Sequence, residues 1–252
     1  MTVRQARPVG VHGRVLAPAA VALAVAALAG CGGSGSTTTA TTSSSPAAST
    51  SSAPATNGID KLTATEVMTK ASAAFQAAPS VRIQGEMIDA GKKAKVDSQL
   101  QGKDGRVTLG LDAVSMELLV KGEAAYISGN DAFWTSSVGA TGAKTMSGKY
   151  LKTTVAGKDA KDMMGFIDRG KIVSDILPKD SFSSGKKATL NGQPVWELSD
   201  GAGSVYDIAL TGEPLPLQIS SAKDGKLTLT YGITVDLTEP PAAKVLDASK
   251  MK

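Results

Sequence analysis

Two serine–lysine pairs have the spacing of a nucleophile and its base. Ser183-Ser184-Gly185-Lys186 and Ser220-Ser221-Ala222-Lys223 each place a lysine three residues after a serine, as in penicillin-recognising enzymes. That chemistry also needs a Lys-Thr-Gly strand, and the sequence contains no such tripeptide. The first pair lies in a Gly/Lys-rich stretch and the second where a strand runs into a turn, so both read as solvated loop. The chain has one histidine, His12, and one cysteine, Cys31. Once a leader ending at Gly30 is removed, no histidine remains and the cysteine stands at the new N-terminus. Ser-His-Asp and Cys-His nucleophiles, His/Cys zinc sites, thiol redox chemistry and disulfides are thereby excluded. A carboxylate pair for glycoside hydrolysis would leave no trace in sequence, because its partners meet only in three dimensions. The aromatic content of 4% argues against a sugar-stacking cleft, and Trp134 and Trp196 read as packing residues. No catalytic residue, metal ligand or cofactor is assigned, and there is no phosphate loop, EF-hand loop or N-glycosylation acceptor.

The one reactive position is Cys31. Arg4, Arg7 and Arg14 form a basic start before an uncharged run from Val15 to Gly30, the pattern of a secretion signal. The run is too short to cross a hydrocarbon core of about 30 Å comfortably, contains Pro18, and is followed by Ser, Thr and Gly where a stop-transfer sequence would be charged. Its end, Leu28-Ala29-Gly30-Cys31, resembles the bacterial lipobox read by the diacylglycerol transferase and the lipoprotein signal peptidase. That resemblance implies cleavage before Cys31 and acylation of its sulfur. Two acyl chains, at about 0.8 kcal/mol per buried methylene, anchor stably where one would not. The expected location is the cell membrane, lipid-anchored on the extracytoplasmic face.

Residues 32–57 are almost entirely Gly, Ser, Thr, Ala and Pro with no charge, too little apolar bulk to offset the entropy of ordering. They read as a disordered tether with a coil span of roughly 25–30 Å and an extended reach of about 85 Å. The expected organisation is therefore a signal peptide over 1–30, a lipidated cysteine with its tether over 31–57, and one domain over 58–252. Loss of the three leader arginines reduces the 27 basic residues to 24, against 23 acidic ones. No basic stripe is left for nucleic acid.

The domain opens on Thr63-Ala64-Thr65-Glu66, a capping box. Val67, Met68, Ala71, Phe75 and Ala78 then recur at helical spacing until Pro79. From Ser80 the period becomes two: Val81, Ile83 and Met87; Val96, Ser98 and Leu100; Val107, Leu109 and Leu111; Met116, Leu118 and Val120. These are half-buried antiparallel strands separated by turns such as Asp104-Gly105 and Lys121-Gly122. After a short strand near Tyr126, residues 129–148 read as loops. Residues 159–178 form a second helical region with Met163, Met164, Phe166, Ile167, Ile172, Val173, Ile176 and Leu177. Strands resume over 187–190, 195–198, 204–210, 217–220 and 227–231, with Asn191-Gly192 and Asp224-Gly225 as hairpin turns. The fold class expected is α+β, one long curved antiparallel sheet with helical segments on one face.

Several pieces of this domain resemble the LppX/LprG family of actinobacterial lipoproteins, whose fold is similar to that of the carrier LolA. They are Tyr126 with Gly129-Asn130-Asp131-Ala132-Phe133-Trp134, then Gly148-Lys149-Tyr150-Leu151-Lys152, Asn191-Gly192-Gln193-Pro194 and Gly212-Glu213-Pro214-Leu215-Pro216-Leu217. The resemblance runs through most of residues 60–247. It implies a half-barrel, a highly curved sheet with helices on its concave face and an apolar cavity between them. It also implies a non-enzymatic role, binding lipid or lipoglycan acyl chains and carrying them between membrane and outer envelope, where a lipid exporter would be the partner. In this chain the lining would come from Val81, Ile83, Met87, Leu100, Val107, Leu109 and Leu118 on the strands. Met163, Met164 and Ile167 would add to it, methionine being suited to irregular gaps. The competing reading of the same stripes is plain core. Two alternatives share the sequence: a membrane-tethered sensor of the same fold, which the long tether leaves open, and a two-carboxylate carbohydrate enzyme.

Overall fold

The computed structural model describes residues 55–251, apart from residues 90, 162 and 178–181. The leader, Cys31 and the tether up to residue 54 lie outside the described residues. Asn57, placed at the end of the tether by composition, is tied into the domain. Its backbone N–H donates to the Leu210 carbonyl at 2.7 Å and its side-chain amide to that of Ala209 at 2.9 Å.

The first helix, α1 (Ala64–Ala77), begins where the capping box places it. The Glu66 carboxylate accepts from the Thr63 N–H at 2.8 Å, and Thr63 Oγ1 accepts from the Glu66 N–H at 3.4 Å. Val67, Met68, Ala71 and Phe75 form its buried face. Pro79 disfavours helical geometry at Ala78, which turns the chain into the first strand. Five strands follow as a meander: β1 (Ser80–Asp89), β2 (Lys92–Gln101), β3 (Asp104–Leu111), β4 (Val114–Lys121) and β5 (Ala124–Gly129). Then come α2 (Asp131–Met146), β6 (Tyr150–Thr154), α3 (Lys158–Lys161), a 3₁₀ turn at Met164–Phe166 and α4 (Arg169–Ile176). A second meander comprises β7 (Lys186–Leu190), β8 (Gln193–Ser199), β9 (Ser204–Ala209), β10 (Pro216–Ser221) and β11 (Gly225–Tyr231). The chain closes on β12 (Val245–Asp247).

All twelve strands form one open sheet in the order β12-β6-β5-β4-β3-β2-β1-β11-β10-β9-β8-β7. Pairing of β1 with β11 joins the two meanders, and β12 against β6 is a parallel pair at one edge. Register carries inward-facing residues across the strands in rows. One row is Val81–Leu100–Gly105–Val120–Ala125 and the next is Ile83–Ser98–Val107–Leu118–Ile127. Two glycines permit close approaches that any side chain would block. A Cβ on Gly85 (φ 154°) would meet the Lys226 carbonyl oxygen where β1 and β11 converge. One on Gly105 would lie 3.0 Å from Ile167 Cδ1, where the helical cover meets the sheet.

The outer face carries the return of the chain from β11 to β12. Arg106 donates through Nε to the Asp236 carbonyl (3.0 Å) and through Nη2 to that of Thr238 (3.1 Å), while its Nη1 pairs with Glu117 (2.7 Å). The Tyr126 hydroxyl donates to Glu239 at 2.7 Å. Leu119 and Val235 are buried on this side, apart from the main core.

The fold differs from the sequence expectation in three places. Residues 131–146, expected as loop, are helical and kinked at Gly139 (φ 76°). Asn130 caps them by accepting from the Phe133 N–H at 3.0 Å, and Phe133, Trp134, Ala143 and Met146 are buried. Ser, Thr and Gly on the exposed side dilute the apolar period, so packing sets this helix where propensity does not. The second helical region is broken into α3, the 3₁₀ turn and α4. The edge strand β12 and its neighbour β6, too short to display alternation, complete the sheet.

Candidate functional site

Between the concave face and the cover formed by the 3₁₀ turn and α4 lies an apolar cleft of about 120 Å³. Its floor is Ile83 and Met87 of β1, Val96 of β2, Val107 of β3 and Leu227 of β11. Its roof is Phe166, Ile172 and Ile176. Ser98, the polar residue of the floor, donates from Oγ to the Phe166 carbonyl at 3.4 Å, which ties the cover to the sheet.

Local sequence builds the cover. The Asp168 carboxylate caps α4, accepting from the Lys171 N–H at 3.0 Å, and Ile172 and Val173 are buried a turn later. Arg169 enters the space between α4 and the end of α1. Its Nη1 donates to the carbonyls of Ala78 and Gln76, and its Nη2 to those of Pro79 (3.3 Å) and Leu100 (3.4 Å). The guanidinium thus caps the last turn of α1, a favourable place for a cation. Burial pushes its pKa below the ordinary arginine value, while burial drives the nearby Tyr231 phenol strongly up. The Tyr231 hydroxyl donates to the Pro216 carbonyl at 2.7 Å.

The ten expected lining residues separate into groups. Ile83, Met87 and Val107 line the cleft. Val81, Leu100 and Leu118 are 0% exposed and Ile167 is 3% exposed, all within the main core and outside the cleft wall. Leu109, Met163 and Met164 are partly buried and pack against that core. Sequence reasoning left out Val96, Phe166, Ile172, Ile176 and Leu227. Val96 carries the same alternation as Ser98 and Leu100 and was within reach. Leu227 was not, because only the long-range pairing of Gly85 with Leu227 brings it there.

The other candidates for chemistry fall elsewhere. Both the N–H and Oγ of Ser183 donate to the Ser199 carbonyl, and Lys186 pairs with Glu197 at 2.8 Å. Ser221 Oγ donates to Asp224 at 2.9 Å inside the β10–β11 turn. Glu197 and Asp207 stand opposite each other across β8 and β9, on the face away from the buried Leu198 and Tyr206. Burial, and then the Glu197 charge, raise the Asp207 pKa. Trp134 is buried edge-on to Phe133, and Trp196 lies against Gly185. Among the described residues no group of three or more His, Cys, Asp or Glu could hold a metal ion, and no helix is long and apolar enough to cross a membrane. Two shallower depressions, of about 550 and 340 Å³, are more open to solvent than the cleft and carry charged groups in their walls, Glu86, Lys93 and Lys226 in one and Glu117, Lys149 and Lys244 in the other.

The molecule is thus an α+β half-barrel, an open and highly curved sheet of 12 strands with helices against its concave face. No protein-family model matches the sequence, and no curated protein matches it. Among solved structures it is similar to LprF from Mycobacterium bovis, with 14% identity over 70% of this chain and 96% of that one and a TM-score of 0.43. It is also similar to the Mycobacterium tuberculosis lipoprotein LppX, with 8% identity, 69% and 97% coverage and a TM-score of 0.39. An uncharacterized conserved protein from Thermus thermophilus matches with 11% identity, 72% and 97% coverage and a TM-score of 0.34. The chemistry of the cleft is carried by this chain's own residues.

Proposed function

We propose that this protein is a non-enzymatic, lipid-anchored envelope protein that takes acyl chains of a lipid or lipoglycan into the concave cleft and carries them between membrane and outer envelope. Cys31 is the attachment site, residues 32–57 give the domain its reach, and an envelope lipid exporter is the partner that would load it. The observation that carries the reading is the cleft itself: aliphatic side chains from four strands face a cover made of one turn of 3₁₀ helix and the short α4. Each methylene moved there from water contributes about 0.8 kcal/mol, so affinity comes from area and tolerates variation in the chain.

At about 120 Å³ the cleft is smaller than the roughly 300 Å³ at which drug-sized sites begin. A full acyl chain therefore requires the cover to lift from the floor, with Ile172 and Ile176 moving against Val107 and Leu227. Organic extraction and mass spectrometry of the chain from residue 32 onward, exported by its native host behind a cleavable non-lipoprotein leader, tests this. Stoichiometric acyl lipid is expected. A protein that stays empty after incubation with host lipid extract would overturn it.

A further inference from the structure

Burial on the concave face falls off along the strands, row by row. The rows that contain Val81 and Ile83 are buried throughout. The next, Val96–Leu109–Met116, is half-buried. The last, Met87–Ala94–Leu111–Val114, is half-buried with Leu111 at 37% exposure. These two outer rows stay apolar up to the β3–β4 turn, where nothing in the alternation yields to water. Phe166, in the roof of the cleft floored by Met87 and Val96, is 40% exposed. Charges at this open rim are matched, Lys92 with Asp112 at 3.1 Å and Lys93 with Glu86 at 3.8 Å. The chain joins the domain at the opposite rim. Asn57 is bonded to the carbonyls of Ala209, Leu210 and Gly212. Ser204, at the start of β9, faces Ser221, which faces Gly225 and so the Met87 end of β1, whereas Leu210 follows the far end of β9. The ten residues of β1 set the rims about 30 Å apart.

We propose that the open rim, built on the Met87–Ala94–Leu111–Val114 row, touches the bilayer that holds the chain's own anchor, and that the domain turns over on its tether to do so. This rests on the reading of Cys31 as the anchor and of the cleft as an acyl site. Contiguous exposed apolar surface marks an interaction site. Two short rows of side chains fall far below the roughly 20–30 residues a side of a stable protein pair. A bilayer, in contrast, takes up a small apolar edge in proportion to the area buried. An acyl chain passing over this rim into the cleft stays against apolar surface, so its transfer avoids the cost of crossing water. Because the tether joins the far rim, contact at the open rim requires residues 32–56 to run back along about 30 Å of domain. An extended reach of about 85 Å allows it. The matched charges make the contact apolar in character, independent of anionic lipid.

The chain from residue 32 onward has no cysteine, so one introduced thiol carries a dye that reports its surroundings. Ala113→Cys places it at the open rim and Lys103→Cys at the far one, both exposed turn positions. With vesicles of phosphatidylethanolamine and phosphatidylglycerol, dye at 113 is expected to shift to the blue and to be quenched by spin-labelled lipid, and dye at 103 is not. The shift should persist in about 1 M salt, where the screening length is about 3 Å, and should be lost with Leu111→Asp. In the lipidated full chain, deletion of residues 34–54 leaves four residues between Cys31 and Asn57, a reach of about 17 Å. Lipid recovered with that protein should fall about fivefold or more, as for a linker that cannot span its sites, and a Gly/Ser segment of the original length should restore it. No response at 113, an equal response at 103, loss of the response in salt, or undiminished lipid on the short tether would overturn the proposal. Bound lipid without a response at 113 leaves the acyl cleft standing. A response at 113 without bound lipid overturns the acyl reading and leaves the bilayer contact.

Discussion

Two ends of the same concave face behave differently. At the α1 end, Phe75, Val81 and Leu100 are 0% exposed and form solid core. Further along the same strands, Met87 and Val96 remain partly exposed beneath α4. The strands alternate identically at both ends, so the strands do not make the cleft. The cover does. A fourteen-residue capped helix presents a continuous apolar face to the sheet, whereas the 3₁₀ turn and α4 present bulky side chains on short pieces that leave gaps. A cavity here is the result of covering a good sheet with a discontinuous helix.

Truncation should separate the two ends most strongly. Phe75→Ala at the solid end should cost about 3–5 kcal/mol and lower the melting temperature by many degrees. Ile176→Ala, in the partly exposed roof, should cost much less. Similar losses at both positions in chemical denaturation would mean that the cleft end is as solid as the other.

Enlargement should act in the opposite sense on ligand. Val81→Trp overpacks and should cost about 1–3 kcal/mol, whereas Val96→Trp should fill free volume, reduce co-purified lipid and leave the melting temperature nearly unchanged. Leu109→Trp, at a partly buried position in the same inward row, should resemble Val96→Trp. If Val81→Trp proves the milder change, the division of the face has been drawn in the wrong place.

Arg169 is the polar tie between the ends. Arg169→Ala leaves the carbonyls at the end of α1 without their donor and should cost about 1–3 kcal/mol. Its signature is local: amide exchange should accelerate over residues 164–177 more than in β1–β5. Uniform acceleration would show that Arg169 stabilises the whole domain and does not latch the cover.

The smallest effect expected is a gain, away from both ends. Burial and Glu197 raise the pKa of Asp207 above its ordinary 3.8, so the folded state binds the proton more tightly than the unfolded one. Stability is then lost as pH rises from that value through the folded-state pKa. Asp207→Asn should raise the melting temperature at neutral pH, with the gain vanishing below the ordinary carboxylate pKa. A gain that persists undiminished in acid would assign the effect to packing.

The capping box at Thr63–Glu66, the alternation of β1–β4 and the Asn191-Gly192 turn were legible because each depends on residues close in sequence. Asn191 and Gly192 indeed take φ of 49° and 82°, as a two-residue hairpin turn requires. Residue counts alone removed thiol, imidazole and His/Cys zinc chemistry from the domain. Alternation also told which face Val81, Ile83 and Val107 occupy. It could not tell that Val81 is packed away from the cleft while Ile83 and Val107, buried in the same core, also form part of the cleft wall, because the two-residue period records a face and carries nothing about what is laid over it. The helix over 131–146, held by the burial of Phe133 and Trp134, was hidden for the same reason. So was the meeting of Gly85 with Leu227, which joins strands more than a hundred residues apart. Local propensity and periodicity fix which elements form and which side is apolar. The volume left between them is decided only when distant elements pack.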